Sequence, residues 1–217
     1  INRYINVMKK LQKAIPDFYG KEDITFHELN SDFIATFDLF LKTEAGLCRN
    51  TIVRYMKCFK RITNMALAKE WMRKDPFYGY KMAQDETDPV FLTYPELKSI
   101  MEKEFTIPRL ALVRDIFVFA AFTGLAFADV STLTKDNLVQ DNNGDWWIRK
   151  GRVKLERRHR ASSICNIPLL PVPLAILKKY EEHPICRKKS LCLPVICNQR
   201  MNSYLKEIAD LCNIRKN

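Results

Sequence analysis

Several features of exported, membrane-bound and metal-binding proteins are missing from the sequence. No apolar run approaches the about 20 residues of a transmembrane helix, and the first residues, INRYINVMKKLQKAI, lack a signal-peptide layout. Seven cysteines lie scattered without a CxxC spacing, which indicates neither a disulfide framework nor a zinc site. No internal repeat or low-complexity tract is present. We therefore expect an intracellular protein of a reducing compartment, without membrane contact or bound metal.

Acidic residues are too few to balance the basic ones. Thirty-six Lys and Arg face 25 Asp and Glu, which leaves a formal net charge of +11. Such a surplus favours phosphate-rich partners, nucleic acid first. It is also compatible with the solvated helix faces of an ordinary soluble protein, so the positions of the charges must decide. A chain of 217 residues with 47% apolar content is long enough for one large domain or two small ones.

The first 75 residues show the apolar periodicity of helices and no strand candidate. Helices are predicted over 3–15, 31–42 and 50–72, with turns at Pro16, Gly20 and Gly46. The polar stretch YGYKMAQDETDPV has the composition of a linker. We predict a helical domain over 1–78, a linker over 79–91 and a second domain over 92–217.

The second domain mixes helices with a small sheet. Thr93 and Glu96 form a capping-box pattern at the start of a helix, and residues 109–122 form an apolar helix that we expect to be buried. Asn143-Gly144 between two β-prone runs predicts a hairpin, and residues 164–169 a third strand. Further helices are predicted over 173–182 and 202–213. The predicted fold class is mainly α with a small antiparallel β-sheet.

Basic side chains gather on one face of the third predicted helix. Arg54, Lys57 and Arg61 lie opposite its apolar stripe, and its first residues suit a phosphate because helix starts expose free N–H groups. Such a helix suits a major groove, although a solvated face of a core helix shows the same pattern. The predicted DNA-binding residues of this helix are Arg49, Asn50, Thr51, Arg54, Lys57, Lys60 and Arg61.

A second basic cluster lies in the other predicted domain, near the hairpin. Two basic surfaces joined by a linker suggest a clamp around DNA. The predicted DNA contacts of this second cluster are Arg149, Lys150, Arg157, Arg158 and Arg160, with Arg152 and Lys154 between them.

The order of these motifs carries a family resemblance. A helical N-terminal domain, then FLTYPEL, FTGLAFADVSTLTKDNL, WIRKGRVK and NIPLL, resembles the tyrosine recombinase (phage integrase) family, and is most similar to integrases of conjugative transposons and related mobile elements. The resemblance implies a SAM-like core-binding domain followed by the N-terminal part of a mixed α/β catalytic domain. The tail NQRMNSYLKEIADLCNI resembles the helix before the family's His-x-x-Arg motif, so we expect that motif and the nucleophilic tyrosine outside this chain.

The resemblance also implies an activity and partners. In this family a tyrosine attacks a DNA phosphodiester and forms a 3′-phosphotyrosyl link, which a 5′-hydroxyl later reverses, so no metal or nucleotide cofactor is needed. It implies double-stranded DNA attachment sites, a homotetramer on DNA, in some cases a host DNA-bending protein, and a place in the bacterial cytoplasm at the nucleoid. As given, the chain is expected to be catalytically incomplete.

One position departs from the family pattern. An arginine normally follows Thr-Gly-Leu, and here the residue is Ala126. Lys154 matches the hairpin lysine that protonates the leaving oxygen. Arg152, two residues earlier on a strand, shares its face and is a candidate replacement for the missing charge, or else a backbone contact. Asp129 matches an acidic position that supports the active site in the family, or is a helix N-cap or a local turn carboxylate.

Two other functions remain open from the sequence. A relative that has lost the chemistry would bind DNA as a site-occupying regulator, which Ala126 favours. A helical protein-interaction module with incidental charge would bind DNA weakly and without sequence preference.

Overall fold

The computed structural model describes residues 2–151 and 164–216. The chain divides into two compact units, Ile1–Asp88 and Pro89–Asn217. Each unit has a hydrophobic core of its own. Among the described residues, no helix is both long and apolar enough to cross a membrane.

Three helices build the first unit. They are α1 (Asn2–Tyr19), α2 (Ser31–Lys42) and α3 (Arg49–Ala68). The Asn30 side chain caps α2 by accepting a hydrogen bond from the Phe33 N–H at 2.9 Å. Phenylalanine rings fill the space between the helices, which is the main source of stabilising apolar burial here. The packed rings are Phe33, Phe37, Phe40, Phe59 and Phe77.

The turn predicted at Pro16 is wrong, because α1 continues through it to Tyr19. A proline inside a helix lacks one N–H donor and disturbs the preceding turn. Burial of Ala14 and Ile15 against the core offsets that cost. The helix ends at Gly20, whose positive φ of 62° lets its N–H reach the Pro16 carbonyl at 3.0 Å.

The chain then runs back beside α3. Phe77 is buried in the core of the first unit, and Tyr80 and Met82 pack against that core. The Asp75 carboxylate accepts a hydrogen bond from the Phe77 N–H at 2.9 Å and lies 3.9 Å from Lys60 Nζ. Residues 79–88, inside the predicted linker, therefore belong to the compact first unit.

The second unit begins with α4 (Tyr94–Glu102), which carries the predicted capping box of Thr93 and Glu96. The predicted apolar helix is confirmed as α5 (Pro108–Thr123), and its apolar side chains are largely buried. Shorter helical elements and two further helices complete the unit. They are α6 (Phe127–Ser131), a 3₁₀ turn (Lys135–Asn137), α7 (Pro171–Tyr180), α8 (Pro184–Lys189) and α9 (Asn198–Leu211).

The described strands form the predicted antiparallel sheet. β1 (Leu138–Gln140), β2 (Trp146–Gly151) and β3 (Ile164–Pro168) pair in the order β1-β2-β3. Gly144 supplies the positive φ, 89°, that the turn between β1 and β2 requires. Ile148 pairs with Leu138 and is fully buried, so this side of the sheet covers the core.

Candidate nucleic-acid interface

The α3 helix has one apolar face and one basic face. Ile52, Val53, Met56 and Phe59 are buried, whereas Arg54, Lys57 and Arg61 are exposed. The whole helix, residues 49–68, contains five cations and no acidic residue. Because no carboxylate neutralises the cations from within the helix, its exposed face is positively charged.

Arg49, at the start of α3, is engaged by its own unit. Its Nη1 lies 3.1 Å from an Asp38 carboxylate oxygen, and its Nε and Nη2 donate to the carbonyls of Ala83 and Lys81 at 3.2 and 3.1 Å. The Tyr80 hydroxyl also donates to Asp38. Burial, together with the neighbouring Asp38 charge, raises the pKa of Tyr80 to about 12.

Asn50 also holds the returning segment. Its Nδ2 donates to the Asp85 carbonyl at 3.0 Å and its Oδ1 accepts from the Asp85 N–H at 2.9 Å. Lys57 Nζ lies 3.3 Å from Gln84 Oε1. Together with Arg49, these side chains fasten residues 81–85, which we name the return segment, along α3. A positioning role inside the first unit thus competes with the predicted DNA contact for Arg49, Asn50 and Lys57.

The remaining predicted contacts of α3 differ in their surroundings. Lys60 pairs with Asp75 and lies 5.7 Å from the centre of the Phe77 ring. The Thr51 hydroxyl lies 3.2 Å from Cys48 Sγ. The side chains of Arg54 and Arg61 make no hydrogen bond or ion pair with any residue that the structure describes. These two guanidinium groups are therefore the most available to phosphate or base.

Ala126 stands where the second unit turns from α5 into α6. Gly124 ends α5 with a left-handed φ of 64°, and its N–H reaches the Ala120 carbonyl at 2.9 Å. Ala126 is then the exposed residue immediately before α6, without a capping side chain. Its methyl group supplies no charge to the surface of this turn.

Asp129 lies in the single turn of α6, and its N–H donates to the Ala126 carbonyl at 2.9 Å. It is only 3% exposed, and it has interacting partners in the fold. Asp129 is not the N-cap, because Ala126 occupies that position, and the alternative of a local turn carboxylate stays open. Support of the active site by Asp129 stays a prediction.

The two predicted DNA contacts of β2, Arg149 and Lys150, lie on opposite faces of the sheet. Lys150 points inward, where its Nζ donates to the Thr132 carbonyl at 2.9 Å and lies 3.4 Å from Asn137 Oδ1. Arg149 is exposed on the other face, beside a shallow cavity of about 340 Å³ that Trp147 and Asn166 also line. Of the two, Arg149 is the one available to DNA.

Five predicted residues lie outside the described part of the chain, so their roles stay predictions. These are the two catalytic candidates and three further cations: Arg152, Lys154, Arg157, Arg158 and Arg160.

The sequence reasoning missed a buried carboxylate in the second unit. Asp115 on α5 accepts hydrogen bonds from Arg114 Nε at 2.8 Å, from Lys179 Nζ at 2.7 Å and from the Tyr180 hydroxyl at 2.8 Å. Burial, with the Asp115 charge beside it, raises the pKa of Tyr180. An acidic residue in the middle of an apolar helix was the available signal, since a buried carboxylate needs partners.

Residues 2–82 match the family model of the phage integrase SAM-like domain. Over these residues the first unit is similar to a phage integrase SAM-like domain. No match was found among curated proteins.

Solved structures agree over both units. The chain is similar to XerH site-specific recombinase bound to its difH substrate, with a TM-score of 0.68 and 16% identity over 100% of this chain. It is similar to a lambda integrase dimer bound to a COC′ core site, with a TM-score of 0.71 and 15% identity over 98%. It is also similar to the Tn1549 transposon integrase in complex with a circular intermediate DNA, with a TM-score of 0.57 and 18% identity over 84% of this chain.

The chain spans 64% of the XerH chain, 72% of the lambda integrase chain and 60% of the Tn1549 integrase chain. At these identities the likeness establishes the fold.

Proposed function

We propose that the protein is the DNA-engaging part of a site-specific recombinase of a mobile genetic element. The observation that carries the proposal is the basic face of α3, free of acidic residues, in a phage integrase SAM-like domain that is joined to a second unit of recombinase fold. Arg54 and Arg61 contact DNA from the first unit. Arg149 and the cations of residues 152–160 contact it from the second unit.

The proposed reaction is transesterification through a tyrosine that lies outside residues 1–217. The tyrosine oxygen attacks the scissile phosphorus, the bond from phosphorus to the 5′-oxygen breaks, and a 3′-phosphotyrosyl link forms. Lys154 gives the leaving 5′-oxygen its proton. Arg152 stabilises the charge on the phosphoryl oxygens, a task that the exposed methyl group of Ala126 cannot perform.

The proposed partners follow from the same likeness. Lambda integrase was solved as a dimer on a core site and as a tetramer on a Holliday junction, which supports a homotetramer on two double-stranded attachment sites. Similarity to a transposon integrase supports a mobile-element context. We include a host DNA-bending protein and a location at the bacterial nucleoid in the proposal as implied by the family resemblance.

Covalent capture tests the chemistry directly. The protein encoded by the full reading frame is incubated with an attachment-site DNA that carries a nick, so that the cleaved strand cannot be religated. The products are separated on a denaturing gel. We expect a protein–DNA adduct that Lys154→Ala and Arg152→Ala abolish. Restoration of the adduct by Ala126→Arg in the Arg152→Ala background would establish that Arg152 replaces the missing arginine.

A second function is favoured by one observation, the exposed Ala126 at the turn where the family pattern has a cation. In that case the protein occupies an attachment site as a regulator without cutting it. Tight site-specific binding with no adduct, even in the Ala126→Arg variant, would establish the regulator and exclude the recombinase.

A further inference from the structure

The exposed face of α3 continues beyond Arg61 to Asn64. Residues three apart on a helix are neighbours on one face, separated by about 4.5 Å along the axis. Arg61 and Asn64 are both exposed, while Thr63 between them is buried. The side chains of Arg61 and Asn64 form no hydrogen bond or ion pair with another residue in the described part of the chain. Their polar atoms are therefore directed to solvent.

Several other polar side chains along this helix are already engaged. Asn50 uses both its donor and its acceptor on the Asp85 backbone. Lys57 and Lys60 face Gln84 and Asp75. Since α3 contains no Gln and only two Asn, Asn64 is the amide of this helix whose donor and acceptor both remain available to a ligand.

Free guanidinium and free amide groups have distinct partners in a major groove. Arg donates two hydrogen bonds to the O6 and N7 acceptors of guanine, whereas Asn donates to N7 and accepts from the N6 amino group of adenine. Two such side chains one turn apart on a groove-lying helix reach nearby base pairs. Phosphate contacts, by contrast, need only positive charge.

We propose that Arg61 and Asn64 read the attachment-site sequence as a pair, Asn64 selecting an A·T pair and Arg61 a nearby G·C pair. This assignment rests on the proposed DNA-binding function and goes further, because it separates the residues of α3 that specify sequence from those that neutralise phosphate. Asn64 is the specificity-determining residue that charge patterning does not find.

The test is selection of bound sequences from a randomised duplex library, followed by affinity measurements on single-base substitutions of the selected site. Wild type, Asn64→Ala, Asn64→Asp and Arg61→Ala are compared, with Gln12→Ala as a matched control because Gln12 is an exposed amide on α1. Thermal melting of each variant establishes that it is folded, which the exposure of these side chains favours.

We expect Asn64→Ala to reduce the discrimination at one A·T position about tenfold while its affinity for unrelated DNA is unchanged. Asn64→Asp lacks the amide donor and therefore also loses the preference for adenine. Arg61→Ala loses the nearby G·C preference and weakens binding to all sequences. Gln12→Ala leaves the profile unchanged.

The alternative outcomes are separable. If Asn64→Ala weakens binding to every sequence alike, Asn64 contacts phosphate and the base-reading assignment is wrong. The base-reading assignment is also wrong if Asn64→Ala and Arg61→Ala leave the sequence preference unchanged, or if the wild type binds DNA without sequence preference. In either case the proposed DNA-binding function stands. A wild type that binds no DNA overturns the assignment and the proposed function together.

Discussion

Asn50 and Asp85, 35 residues apart in sequence, are joined by two hydrogen bonds: the Asn50 amide both donates to the Asp85 carbonyl and accepts from its N–H. The side chain thus pairs with the backbone as a neighbouring strand would. With the Arg49 bonds to Lys81 and Ala83, it determines where the chain leaves the first unit.

The first prediction concerns the return segment. Asn50→Ala removes both bonds to Asp85, and we expect faster amide exchange and easier proteolytic cleavage within residues 81–88, with a loss of about 1–2 kcal/mol in the free energy of unfolding. Hydrogen exchange followed by mass spectrometry checks it. Asn64→Ala removes a similar amide from the same helix and should leave exchange in the segment unchanged; equal effects of both variants would contradict the positioning role.

The second prediction is a loss of stability in alkali. The pKa of Tyr80 is raised from 10.0 to about 12 in the folded chain, so the protonated phenol is favoured by folding. Its contribution is fully present below pH 10 and is lost as pH rises from about 10 to about 12. Melting curves across this range should show this loss, and Tyr80→Phe should remove part of it. An ultraviolet titration in which Tyr80 ionises at its ordinary pKa would refute the prediction.

The third prediction concerns the buried carboxylate of α5. Asp115→Ala leaves Arg114, Lys179 and the Tyr180 hydroxyl without their shared acceptor, and we expect a loss of about 3 kcal/mol or more in the free energy of unfolding. Tyr180→Phe removes a single hydrogen bond to the carboxylate and should cost about 1–2 kcal/mol. Denaturant unfolding of each variant provides the values. Asp210→Asn, on the exposed surface of α9, is the control and should be neutral.

The fourth prediction separates two arginines of one helix. Arg54→Ala removes an exposed cation and with it one phosphate neutralisation, so the slope of log affinity for DNA against log salt should become shallower by about 0.9. Arg49→Ala breaks the bonds to Asp38 and the return segment, so its main effect should be a lower melting temperature. Binding isotherms at several salt concentrations measure the slope for each variant, and thermal melting measures its stability. An unchanged slope for Arg54→Ala would mean that Arg54 does not bind phosphate.

The fifth prediction ranks two thiols. Hydrogen bonds from Thr51, first its hydroxyl and then its backbone N–H, lower the pKa of the exposed Cys48 thiol, whereas burial, together with the Cys186 thiol, raises that of Cys192 to about 11. Alkylation near neutral pH should therefore modify Cys48 well before Cys192. Peptide mass spectrometry over time measures both rates. Thr51→Val should slow the labelling of Cys48, and faster modification of Cys192 would disprove the ranking.

Local patterns predicted much of the fold. Apolar periodicity located α2 and α5, the capping box located the start of α4, and Asn143-Gly144 located the hairpin, because each of these signals acts within a few residues. The short α8 was missed, since its six residues are too few for a periodic signal. The end of α1 was misplaced because tertiary packing overrides the usual effect of Pro16.

The interface was less accessible to sequence reasoning. Charge periodicity identified the basic face of α3, but it assigned the same role to Arg49 and Arg61. Their difference depends on Asp38 and on the return segment, which only the tertiary fold brings beside Arg49. Charge periodicity predicts which residues share a helix face. It does not predict their hydrogen-bond partners, because those partners are distant in sequence.

The turn at Ala126 has a consequence for the evolutionary history of the protein. The left-handed bend is made by Gly124, while Ala126 itself is exposed and has an ordinary extended backbone with φ −70° and ψ 156°. An arginine fits that backbone without moving α5 or α6. Gain or loss of the cation is thus a step with little cost to folding, and a lineage without it could recover it by mutation at a single position.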